Sequence, residues 1–144
     1  MRTRLFLLIL TVTILAAATT NVLAQRKWYR GNVRETIRQI ETDTDQFKSS
    51  LDNALDHSNL NGSRAEDEIN DYVKKFEEAT DRLRDKSEDR EYAPNAAREV
   101  LNRGRNINNF MRSNRLGGRA ESDWVRVRNN LNRLANSYFI NWRW

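Results

Sequence analysis

Six arginines in the second half of the chain recur every seven residues: Arg98, Arg105, Arg112, Arg119, Arg126 and Arg133. Seven residues rise about 10.5 Å along a helix, close to two full turns, so such a series is a nearly straight ladder of guanidinium groups. Gly117-Gly118 interrupts it, which leaves two stripes of three. Guanidinium groups pair bidentately with phosphate and carboxylate, and arginine outnumbers lysine here by 20 to 5. The chemistry these residues could do is therefore anion recognition. Arg103, Arg115 and Arg128 add charge to the same half.

Catalytic and metal chemistry find little support. The chain has no cysteine and one histidine, which excludes a cysteine nucleophile, an iron–sulfur cluster, a cysteine zinc site and a multi-histidine centre. That histidine, His57, lies between Asp56 and Ser58, and sequence neighbours on a helix do not face one another, so the three make no triad. Asp67-Glu68, Glu77-Glu78 and Glu88-Asp89 resemble carboxylate pairs, but adjacent helical residues point about 100° apart. No phosphate loop, nucleophile elbow, zinc-protease motif or calcium-loop spacing occurs. We expect no catalytic site, metal or cofactor. A small secreted enzyme or inhibitor without a recognisable motif is the minor alternative.

The elements that must position the arginines follow from apolar spacing. Val33, Ile37, Ile40, Thr44, Phe47, Leu51 and Ala54 alternate four and three apart. Ile69, Tyr72, Phe76, Ala79 and Leu83 do the same, as do Ala97, Val100, Gly104, Ile107 and Met111 with Phe110 beside them. Trp124, Val127, Leu131, Leu134 and Tyr138 form a fourth set. Each set is the buried stripe of an amphipathic helix. Ser63-Arg64-Ala65-Glu66 is a capping-box pattern, Pro94 suits a first helical turn, and Asn61-Gly62 and Gly117-Gly118 are turn dipeptides. Short connections make neighbouring helices antiparallel, so the expected fold is all-α, an up-down-up-down four-helix bundle.

At an offset of 55, residues 58–69 align with residues 113–124, with six of twelve pairs identical. The alignment carries Phe76 onto Leu131 and Leu83 onto Tyr138. A duplicated helical hairpin explains both the joint and the matched core positions. Independent arrival at the same capping chemistry is the plainer alternative. The expected parts are hairpin one at 32–88, hairpin two at 93–139 and an aromatic tail at 140–144.

The first 24 residues read as a secretory signal peptide. Arg2 and Arg4 precede the uncharged apolar run Leu5–Ala18, and Val22-Leu23-Ala24 offers a cleavage site before Gln25. The alternative is an uncleaved N-terminal membrane anchor, since Leu5–Ala24 just reaches the span a bilayer requires. Cleavage would place a 120-residue chain outside the cytoplasm, secreted or periplasmic, with no transmembrane segment remaining. Without disulfides, core burial alone must stabilise it.

Charge is divided. Residues 25–91 hold 13 basic and 17 acidic groups, a net of −4, and residues 92–144 hold 10 and 3, a net of +7. Asp71, Glu78 and Asp85 repeat the seven-residue spacing with opposite sign. Three readings follow. The charges pair within the bundle, the arginine half binds an anionic envelope polymer or lipid surface, or opposite halves of two copies meet in a homo-oligomer. Extracellular nucleic acid is the least favoured anion.

Trp28 and Tyr29 stand near the start of the mature chain, and Tyr138, Phe139, Trp142 and Trp144 close the sequence. One reading makes Trp28, Tyr29, Tyr138, Trp142 and Trp144 a plug over the open end of the core. The other makes the alternating tail an interaction surface for a membrane interface or sheet edge. It resembles the last strand of an outer-membrane barrel, but no run of alternating strands accompanies it.

Overall fold

The computed structural model describes residues 32–144, and these residues are the subject below. The signal-peptide segment, Trp28 and Tyr29 lie outside them. Four helices make up the described chain: α1 over residues 32–56, α2 Arg64–Glu88, α3 Pro94–Asn114 and α4 Gly118–Ser137. No strand occurs among the described residues.

The apolar stripes are the core. Ile40, Phe47, Leu51, Ile69, Phe76, Leu83, Ala97, Val100, Ile107, Val127, Leu131 and Leu134 are fully buried. Two positions differ from the sequence reading by one residue. Leu55 is buried where Ala54 was expected, and Val73 where Tyr72 was expected. Trp124 centres the core, with its ring 5.1 Å from Phe47 and 6.4 Å, edge-on, from Phe76. The buried hydroxyls of Thr44 and Thr80 donate to the Ile40 and Phe76 carbonyls one turn back, so neither is left unpaired.

Polar contacts fix the topology. Arg34 reaches the last carbonyls of α2, Glu41 meets Arg84, and Lys48 meets Glu77, so α1 and α2 are antiparallel. Arg82–Glu99 ties α2 to α3, and Trp124–Asn108 ties α3 to α4. Arg126–Gln46, Asn130–Asp43 and Arg133–Gln39 close the ring between α4 and α1. The result is an up-down-up-down four-helix bundle.

The two joints that align at an offset of 55 have one hydrogen bond in common. Gly62 (φ +70°) and Gly117 (φ +72°) each donate an N–H to the glutamate four residues on, Glu66 and Glu121. Ser63 Oγ also accepts from the Glu66 N–H, as expected of a helix cap. The helix C-termini are less conventional. Left-handed residues end α2, α3 and α4, and none is glycine: Arg90 (φ +64°), Arg115 (φ +35°) and Phe139 (φ +55°). At Phe139 the N–H bonds to the Asn136 carbonyl and the Ile140 N–H to the Ala135 carbonyl, a Schellman closure.

Candidate functional site

The Schellman closure at Phe139 reverses the chain and sends the tail back along the bundle. Tyr138 is buried and stacks on Tyr92, with ring centroids 5.6 Å apart. Burial, together with the neighbouring Tyr92, pushes the Tyr138 hydroxyl up to about 12. Ile140 is buried, and Trp142 and Trp144 are half-buried. Trp142 lies under the Arg105 guanidinium, 4.0 Å from the ring centroid, and Arg105 also donates to the Arg143 carbonyl. Trp144 bonds through Nε1 to Asn132, stacks edge-on against Trp124 and Trp142, and has the Arg128 guanidinium 5.6 Å from its ring. Its ring faces Gly104, where an added Cβ would lie 3.7 Å from Trp144 Cη2 and 2.8 Å from Leu131 Cδ1. The tail therefore lies lengthwise in the seam between α3 and α4, not across an end of the bundle.

The arginine ladders separate onto two seams. On α4, Arg126 bonds to Asp123 at 2.7 Å and to Gln46, and lies 3.8 Å from Asp43. Arg133 bonds to Gln39 and Asn130. These two side chains clasp α1. Asp123 is buried, and Arg126 is its ion-pair partner. On α3, Arg105 clasps the tail. Arg98, Arg112 and Arg119 are exposed and make no ion pair or side-chain hydrogen bond among the described residues. The six are thus not one face.

Charge pairing differs between the halves. In the acidic half, Arg84 alone approaches Glu41 at 2.7 Å, Asp81 at 2.8 Å and Asp85 at 3.6 Å. Lys48–Glu77, Lys75–Asp71 and Lys86–Glu91 are further pairs. Of the ten arginines in residues 92–144, only Arg103 and Arg126 have a carboxylate within 4.0 Å among the described residues.

Arg128 and Asn108 were missed as site residues, because neither belongs to the seven-residue series. Arg128 Nη1 and Trp124 Nε1 both donate to Asn108 Oδ1, at 3.3 and 3.2 Å. Asn108 is 2% exposed. Beyond the tail, toward the α3–α4 turn, the same seam opens as a groove of about 370 Å³ lined by Asn108, Met111, Arg112, Arg115, Glu121, Trp124, Val125 and Arg128.

His57 is exposed, with Nδ1 2.8 Å from the Asn53 carbonyl, which suits a helix C-terminus. Among the described residues no group of three or more metal-binding side chains converges. No helix among them is long and apolar enough to cross a membrane. Compared with protein-family models, with curated proteins and with solved structures, the chain matches none.

Proposed function

We propose that the protein is an exported, non-catalytic binding module of the cell envelope that holds anionic ligands through its arginine-rich half. The observation that carries the reading is the set of unpartnered arginines. Arg98, Arg112, Arg115 and Arg119 are exposed on α3, the α3–α4 turn and α4, with no carboxylate or side-chain hydrogen-bond partner among the described residues. Exposed guanidinium groups that are not consumed internally remain available for phosphate or carboxylate. Arg105, Arg126 and Arg133 belong to the fold instead, since they hold the tail and α1.

The test is flotation with phosphatidylglycerol vesicles across a salt series, with phosphatidylcholine vesicles as control. Binding should be selective for the anionic lipid and should weaken as salt rises. Substituting Arg98→Gln, Arg112→Gln and Arg119→Gln together should weaken it by about tenfold or more. Unchanged binding by this variant overturns the reading.

Self-association is the second reading. The exposed carboxylates of Asp45, Asp52 and Glu78 on α1 and α2 also make no ion pair among the described residues. They are available to the arginines of another copy. Sedimentation that stays monomeric at every salt concentration removes this version.

A further inference from the structure

We propose that the open half of the α3–α4 seam is a phosphate-binding site, formed by Arg112, Arg115, Arg128 and the side-chain amide of Asn108. This deepens the anion-binding reading and rests on it.

The seam has one filled half and one open half, and they share Arg128. The tail fills the half around Gly104, while the groove of about 370 Å³ occupies the half toward the α3–α4 turn. Three guanidinium groups and one carboxylate, that of Glu121, line the groove. That carboxylate is engaged, because one of its oxygens accepts the Gly117 N–H at 3.1 Å.

Asn108 is the second and independent observation. Its Oδ1 accepts from both Trp124 Nε1 and Arg128 Nη1, which fixes which way the amide faces. Its Nδ2 makes no hydrogen bond among the described residues, and beside it Arg128 Nε is a buried donor with no hydrogen-bond partner among them. A buried guanidinium donor without a partner is costly, and an acceptor supplied from the groove removes that cost. Arg128 is held in place as well, with the Trp144 ring 5.6 Å away on one side and Asn108 bonded to Nη1. The polar groups that converge here are nearly all donors, so the matching ligand is a group rich in acceptor oxygens and carrying more than one negative charge. Phosphate fits this description better than a single carboxylate. The phosphate could be free or borne on a lipid headgroup, and the two are separated by experiment.

The protein is titrated calorimetrically with inorganic pyrophosphate, and separately by flotation with phosphatidylglycerol vesicles. Arg112→Gln with Arg115→Gln is expected to weaken binding by about tenfold or more, because both side chains line the groove. Arg98→Gln with Arg119→Gln removes the same charge outside it and is expected to weaken binding by less than about threefold. Asn108→Asp, nearly isosteric, places a carboxylate at the amide and is expected to abolish binding. Should that variant melt early, the two exposed arginine pairs, which leave the core untouched, carry the test. Binding of pyrophosphate assigns a free phosphate group, and binding confined to vesicles assigns the headgroup. Either supports the site if the groove pair is the more damaging. Equal weakening by the two pairs overturns the groove and leaves the broader anion reading standing. No binding of either probe by the wild-type protein overturns both.

Discussion

Leu131 packs so close to Gly104 that a Cβ there would sit only 2.8 Å from Leu131 Cδ1, while the Trp144 ring, 3.7 Å from the same point, would be in ordinary contact. Glycine in mid-helix costs about 1 kcal/mol relative to alanine, and the close approach of Leu131 accounts for its presence. Gly104→Val should therefore destabilise the protein by about 2–3 kcal/mol, despite the gain in helix propensity, because it overpacks the seam. Chemical denaturation checks this, and a variant as stable as the parent would show that the seam has room.

Removing Asn141–Trp144 should cost about 3 kcal/mol, since two half-buried indoles and their hydrogen bond and guanidinium contacts are lost. For a domain of this size that is a fall in Tm of roughly 10 °C. An unchanged Tm would make the tail an appendage and not part of the packing.

Arg126→Gln should cost about 1–3 kcal/mol. It leaves the Asp123 carboxylate, whose side chain is 3% exposed, without its cation, and the half-exposed position of Arg126 moderates the penalty. Arg98→Gln, by contrast, should change stability by less than about 0.5 kcal/mol. Urea unfolding of the two variants side by side distinguishes a clasp from a free arginine.

Alkaline pH should expose the burial of Tyr138. Its hydroxyl is raised from 10 to about 12, chiefly by burial and then by Tyr92, so between these values the unfolded chain loses a proton that the folded one keeps. Stability from this group is complete below pH 10 and declines as pH rises toward 12, by up to about 2–3 kcal/mol. Tyr138→Phe should flatten that part of the pH profile. Identical slopes for parent and variant between pH 10 and 12 would contradict the assignment.

Phe139→Gly should leave stability unchanged or raise it by up to about 1 kcal/mol. The side chain is 86% exposed and packs little, while the backbone at φ +55° favours glycine. A large loss of stability would mean that the exposed ring carries packing after all.

The helices were legible because burial follows a 3.6-residue period, which placed Ile37, Phe47, Phe76, Ile107, Leu131 and Leu134 in the core from spacing alone. Capping at Ser63 and the turn at Gly117 were legible for the same local reason. The fate of the arginines was not. A seven-residue period says that Arg98, Arg105 and Arg112 share a line, but the rotation of α3 against α4 decides that Arg105 alone of the three meets the tail while Arg126 and Arg133 face α1. The path of the tail was hidden too, since it depends on a phenylalanine taking the left-handed conformation that glycine usually marks. Asn108 belongs to no apolar stripe and to no seven-residue series. Its role depends on two partners, Trp124 and Arg128, that lie 16 and 20 residues away.

The α4–α1 seam has a kinetic consequence. Its bonds join residues 80, 87 and 94 positions apart, whereas Lys48–Glu77 spans 29, Arg82–Glu99 spans 17 and Trp124–Asn108 spans 16. Tripling a loop from about 29 to 87 residues adds roughly 1 kcal/mol of closure entropy before any contact is made. The three sequential helix pairs can thus assemble from local collisions, and the ring closes last, when Arg126 and Arg133 capture α1. Destabilising that capture, as in Arg126→Gln, should therefore accelerate unfolding more than it slows folding, which stopped-flow kinetics would check.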